Sequence, residues 1–230
     1  MQSRGTGTHM EQREDIRTRH RKQRPLMSLR NAAGIFDLRQ LASFDSWRNL
    51  AVHFSLCSLV GRWIEVPWCI FCLYAFNIYD PNSLVWGDPF YPFCVYGVGA
   101  IVCGVFLTPL MDLMLTRRKT IWGAVLEFYV LCVFVSMVME VGMGLMLNQP
   151  DANGVYPLWN NAVLPFNVLN QAWIPNDLLL GAAALVYTWI FYPLTEVIMG
   201  AVPRRIMNVV AAIIVVGFIL LCCHEFWALF

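Results

Sequence analysis

The sequence predicts an all-α, polytopic transmembrane helix bundle of about five spans, with a structured Asn/Trp-rich outer loop between spans three and four. Three observations carry this prediction. The 230 residues are 58% hydrophobic and 13% charged, with a mean hydropathy of +0.56, whereas soluble chains carry about 25% charged residues. Five apolar runs each reach the ~20 residues that a membrane crossing requires. The basic residues are gathered ahead of the first run and after the second and fourth, and alternate connections contain none.

Residues 1–48 hold ten Lys/Arg against five Asp/Glu, and the remainder holds six against ten. This divides the chain into a basic cytoplasmic N-terminal arm, 1–48, and a transmembrane domain, 49–230. Arg17, Arg19, Arg21, Lys22 and Arg24, with Gly5 and Gly7 upstream, have the composition of a disordered segment. Ahead of an apolar body, such an arm faces anionic lipid and sets topology; nucleic-acid binding is the weaker reading. Ile35, Leu38, Leu41, Phe44, Trp47 and Leu50 recur every third residue. On an α-helix that spacing drifts by roughly 60° per step, so it supports only a weakly amphipathic interfacial helix.

The spans are expected at about 50–76, 91–115, 120–147, 178–200 and 206–229. The first apolar run is a full span, so it does not read as a cleavable signal peptide. Arg117-Arg118-Lys119 follows the second span and Arg204-Arg205 the fourth, while 77–90 and 148–177 lack Lys and Arg. The positive-inside rule then gives a multi-pass protein with the N-terminus cytoplasmic and both long loops and the C-terminus outside.

Residues 156–171 are neither a span nor an ordinary polar linker. Trp159, Phe166 and Trp173 alternate with Asn160, Asn161, Asn167, Asn170 and Gln171, and Pro157, Pro165 and Pro175 forbid one continuous helix. Such a segment folds against the bundle, where protein or a water-filled cavity satisfies its backbone.

Two hairpins share landmarks. Pro89-Phe90 follows Glu65 by 24 residues, and Pro165-Phe166 follows Glu140 by 25. Pro109-Leu110-Met111-Asp112 precedes one basic turn and Pro193-Leu194-Thr195-Glu196 the other. These landmarks suggest a parallel repeat of 50–119 and 120–205.

Charged side chains inside spans cost about 2.5–3.5 kcal/mol on insertion scales and tend to face a partner or water. Arg62 and Glu65 lie three apart on one helical face and could neutralise each other. Glu65 and Glu140 both lie toward the outer part of their spans, where they could converge beside the loop. The functional reading is an outward-open polar site lined by Arg62, Glu65, Glu140, Trp159, Asn160, Asn161 and Asn167. The structural alternative is that these residues pin helix to helix and hold the loop down.

Asp112 and Glu196 read as interfacial residues answering Arg117, Arg118, Arg204 and Arg205, and Glu127 has no evident local partner. His53 and His224 read as interfacial. Neither belongs to a ligand-spacing motif, so no metal site or cofactor is expected. Cys69-x-x-Cys72 has no second pair and reads as packing, like the other six cysteines. Gly97, Gly99, Gly104, Gly142 and Gly144 would let helices approach closely. No P-loop, His-Glu-x-x-His or Gly-x-Ser-x-Gly signature occurs, which leaves ATP hydrolysis by a P-loop, zinc proteolysis and serine hydrolysis without a motif.

Gly61-Arg62-Trp63-Ile64-Glu65, Pro92-Phe93-Cys94-Val95-Tyr96-Gly97-Val98-Gly99, Glu140, Trp159, Pro165-Phe166-Asn167 and the Gly181 region carry a resemblance. Over roughly residues 54–194 the chain resembles the bacterial ABC-transporter type IV permeases, the CmpB-like integral membrane proteins. It departs from them at Asn160, where an acid tends to follow the loop Trp, and at Asn170-Gln171, where a basic residue tends to occur. The resemblance implies a permease-like transport subunit that lacks its own ATPase and works with a separate one in the bilayer, with homo-oligomerisation a further expectation. The alternatives are a non-transporting membrane scaffold or assembly factor and, less favoured, a membrane-embedded enzyme using Glu65 and Glu140 as an acid/base pair.

Overall fold

The computed structural model describes residues 43–79, 83–154 and 156–227. The disorder expected of the basic arm, and the part of the interfacial helix before residue 43, lie outside the described residues.

Among the described residues, five helices are long and apolar enough to cross a membrane: α1 Phe44–Phe76, α2 Cys94–Arg117, α3 Ile121–Leu147, α4 Ile174–Ala201 and α5 Arg204–Trp227. The chain is a multi-pass membrane protein. Its outer surface is built for lipid: Phe106, Leu126, Val130, Phe134, Ile213 and Leu220 are all more than half exposed. In water such a surface would be an aggregation liability.

Each boundary has a local cause. Ser43 caps α1 by accepting from the Ser46 amide at 3.2 Å, and Asn77 ends it in the left-handed region at φ 54°. Thr120 caps α3 through the Gly123 amide at 3.1 Å. The sequence reading placed the first span's start six residues later and the fourth's at residue 178. Instead α4 begins at Ile174, with Pro175 in its first turn, so Asn176 and Asp177 belong to the helix.

α1 packs along α2, α3 along α4, and α5 against α1, while α2 and α3 meet beside the 118–120 turn. Small residues make the closest approaches. A Cβ on Gly61 would run into the ring of Tyr96, and one on Gly181 into the backbone of Val133. Gly97 fits against Phe54 and Ser58, and Gly104 against Tyr192. Gly99 and Gly142, also expected at helix contacts, face open space. One apolar core joins Cys103, Leu107, Met111 and Leu115 of α2 to Ala124, Phe128 and Cys132 of α3.

α2 and α4 each contain a five-residue π-helical turn, Cys103–Leu107 and Tyr187–Phe191. Each stands just before a proline, Pro109 or Pro193. A proline lacks the N–H that would bind the carbonyl four residues back and crowds that carbonyl, and a widened turn relieves the clash. The Thr108 hydroxyl takes up the Cys103 carbonyl at 3.0 Å. The two widened turns touch each other.

Candidate functional site

The loop between α3 and α4 is organised by two buried amides. Asn148, fully buried, accepts from the backbone amides of Leu158 and Trp159 at 2.9 and 3.4 Å and donates to the Trp159 carbonyl at 2.8 Å. Gln171 donates to the Asn148 carbonyl at 3.2 Å and fills the space that Gly144 leaves free. Strands β1 (Asn167–Val168) and β2 (Ala172–Trp173) then pair antiparallel, Asn167 opposite Trp173. Leu169 and Asn170 turn this hairpin with φ of 52° and 59°, and Phe166, just ahead of β1, also stands in the left-handed region at 63°. The indole N–H groups of Trp159 and Trp173 donate to the carbonyls of Gln171 and Pro165 at 2.8 and 2.9 Å. This network holds the loop in one conformation against α3 and the start of α4.

Beneath it lies a group of acids. Glu140 of α3 accepts from Asn161 at 3.4 Å and from Asn176 at 3.3 Å on each of its oxygens. Asn161 also donates to the Gln171 carbonyl at 2.7 Å, which links the acid to the loop. Asp177, in the first turn of α4, is fully buried and within hydrogen-bonding reach of Glu140. Apart from the Glu140 carboxyl, with which it can share one proton, Asp177 meets no side-chain donor among the described residues. Glu65 of α1 accepts the Tyr96 hydroxyl at 2.7 Å and lies near enough to Glu140 for the two to interact electrostatically. Two facing carboxyls repel when both are ionised and bond when they share one proton. The α4 N-terminus offers a partial positive charge to Asp177 but no side-chain donor.

The residues expected to line a site therefore separate. Glu140 and Asn161 come into contact, with Glu65 near enough to Glu140 to act on it electrostatically. Trp159 shares the Gln171 carbonyl with Asn161, so its indole is spent on the loop. Asn160 accepts from the Ala162 amide at 3.1 Å, and Asn167 donates to the Leu164 carbonyl at 2.8 Å, so both stiffen the loop itself.

Arg62 does not neutralise Glu65 through an ion pair. Its guanidinium donates to the Gly87 carbonyl at 3.0 Å and sits 5.6 Å over the Phe93 ring, and the rest of it is buried without a partner. It braces the shorter outer loop against α1.

A second polar node lies toward the end bearing Arg204. His53, expected at an interface, is buried, with Nδ1 at 2.6 Å from the Tyr187 hydroxyl and Nε2 at 3.1 Å from the Thr195 hydroxyl. Glu196 lies 3.5 Å from Nε2 and accepts from Asn49 at 3.1 Å. It answers this helix contact, whereas Arg204 goes to Asp45 at 3.1 Å. Glu127 also has a partner, forming an ion pair with Arg118 across the turn.

Asp177 and Asn176 were missed because span four was expected to begin at residue 178, four residues after its actual start. The available signal was Pro175, which marks a first helical turn and puts the next two residues inside it. Among the described residues no three His, Cys, Asp or Glu side chains group as a metal site.

A family model described as Putative ABC-transporter type IV matches residues 52–225. No curated protein and no solved structure matches the chain.

Proposed function

The chain belongs to the Putative ABC-transporter type IV family, and we propose that it is a permease-like subunit whose energy comes from a separate ATPase. The absence of a P-loop motif in the sequence supports the division of labour. The protein would sit in the bacterial inner membrane with its N-terminus cytoplasmic, since the basic clusters all fall on one side of the spans.

One observation carries the reading of a binding site. Asp177 is buried against Glu140, with no donor but that carboxyl among the described residues, within a bundle whose exterior faces lipid. A purely structural carboxylate would be expected to have its partners. The substrate surface in this reading is Glu65, Glu140, Asn161, Asn176 and Asp177. Trp159 forms its wall, while Arg62, Asn160 and Asn167 hold the surrounding loops.

The scaffold reading has its own support, because the Asn148–Gln171 network makes the outer loop a rigid platform. The two readings separate on purification of the tagged full chain from native membranes in mild detergent with ATP. A transport subunit brings with it a stoichiometric protein carrying a P-loop, and the complex hydrolyses ATP. Recovery of the chain with no such partner, after cross-linking in the membrane, would count against the permease reading.

A further inference from the structure

We propose that Cys94 and Cys222 form a disulfide on the outer side of the membrane, a staple that ties the end of α5 to the start of α2. The inference rests on the reading above only for the membrane and the orientation, which set the compartment where the bond forms.

The sequence scatters its eight cysteines through apolar segments, and the fold brings these two together. Cys94 is the first residue of α2, and Cys222 lies in the last two turns of α5. Their thiols stand within hydrogen-bonding reach of each other, both are free, and neither is fully buried. More than half the chain separates them, so they meet through tertiary packing and not through a shared helical turn.

Two aromatic contacts bracket the pair. One turn beyond Cys222, Phe226 meets Tyr91, three residues ahead of Cys94, edge to face at 5.7 Å. One turn before Cys222, Phe218 meets Phe54 of α1 in the same way, also at 5.7 Å. These contacts hold α5 in register with Cys222 facing Cys94. Closing an S–S bond of ~2.05 Å then asks only that the two sulfurs draw together from hydrogen-bonding reach.

The compartment supplies the chemistry. With the N-terminus inside, α2 begins and α5 ends outside. His224 and Glu225, paired at 2.9 Å beside Cys222, fit the polar boundary better than the bilayer centre. The bacterial periplasm is oxidising, and a protein disulfide there is the oxidant. One cysteine attacks it as the thiolate, forming a mixed disulfide and releasing one thiol of the oxidant. The second cysteine then displaces the oxidant's other thiol. The pair loses two electrons and two protons, and the oxidant's disulfide becomes a dithiol. The bond would close a loop holding α2, α3, α4 and most of α5, and long loops gain most from closure. Without it, α5 packs chiefly on α1.

The test is made on membranes from aerobically grown cells, quenched in acid, denatured and labelled with a maleimide before and after reduction. Peptide mass spectrometry of the wild type should find Cys94 joined to Cys222, both labelled only after reduction. Cys103 and Cys132, in the apolar core, should be labelled from the start. Cys222→Ser should free Cys94, whereas Cys223→Ser should leave the bridge in place. In detergent, reductant should lower the wild-type Tm by roughly 5–15 °C and leave that of Cys94→Ser unmoved.

The proposal is overturned if both thiols are labelled before reduction, or if Cys94 stays protected in Cys222→Ser. Reporter fusions measure the orientation separately. Free thiols with the outer loops shown to be outside would therefore refute the disulfide and leave the permease reading standing.

Discussion

Asn148 and Gln171 are bonded to each other twice: Asn148 Nδ2 donates to Gln171 Oε1 at 3.1 Å, and Gln171 Nε2 donates back to the Asn148 carbonyl at 3.2 Å. The pair closes the base of the outer loop and fixes where Asn161 stands over Glu140. Asn148→Ala or Gln171→Ala should each cost about 1–3 kcal/mol, because each leaves buried polar groups unpaired. The double variant should cost less than the sum, which unfolding of all three in the same detergent would reveal.

The α1–α2 contact depends on Gly61. Its Cβ position is occupied by Tyr96, so Gly61→Ala should destabilise by about 1–3 kcal/mol through overpacking. Gly99→Ala, in the same helix pair but facing open space, should stay within about 0.5 kcal/mol of wild type. Equal losses from both would mean that the close approach is misplaced.

Glu196 joins α4 to α1 through His53 and Asn49. Glu196→Ala should lower stability by roughly 1–3 kcal/mol, since it strands two buried polar partners. Glu196→Gln can still accept from Asn49 and should recover part of that loss. Thermal melts of the pair of variants give the comparison directly.

Topology is open to reporter fusions. Reporters joined after Asp88 and Asn153 should be active only outside the cytoplasm, and those after Arg118 and Pro203 only inside it. The reverse pattern would invert the orientation of the site.

The spans were legible in the sequence because length and apolarity alone define them, and all five lie close to their expected positions. The anchoring of the loop was legible in outline, since Trp159 and the amides pointed to chain folded onto the bundle. What composition could not tell is which way each amide turns. Asn160 and Asn161 are neighbours, yet one closes a local turn and the other reaches Glu140.

His53 and Glu196 were read as interfacial because both stand near the ends of their spans, yet α4 brings Tyr187, Thr195 and Glu196 onto His53. The widened turn at Tyr187–Phe191 shifts the face that α4 presents from there onward. Asp177 was hidden by a boundary error of a few residues, which is the usual scale for helix ends.

The central claim is that the acids are kept for binding, at the expense of stability. It is tested most directly by the Tm of Asp177→Asn and Glu140→Gln against wild type in buffer free of alkali and divalent cations. An amide at either position gives the facing carboxyl a donor and removes one of two like charges, so the account predicts a Tm equal to wild type or higher. A fall of more than roughly 4 °C in both variants, on the order of 1–2 kcal/mol for a chain of this size, would make the acids structural and contradict it.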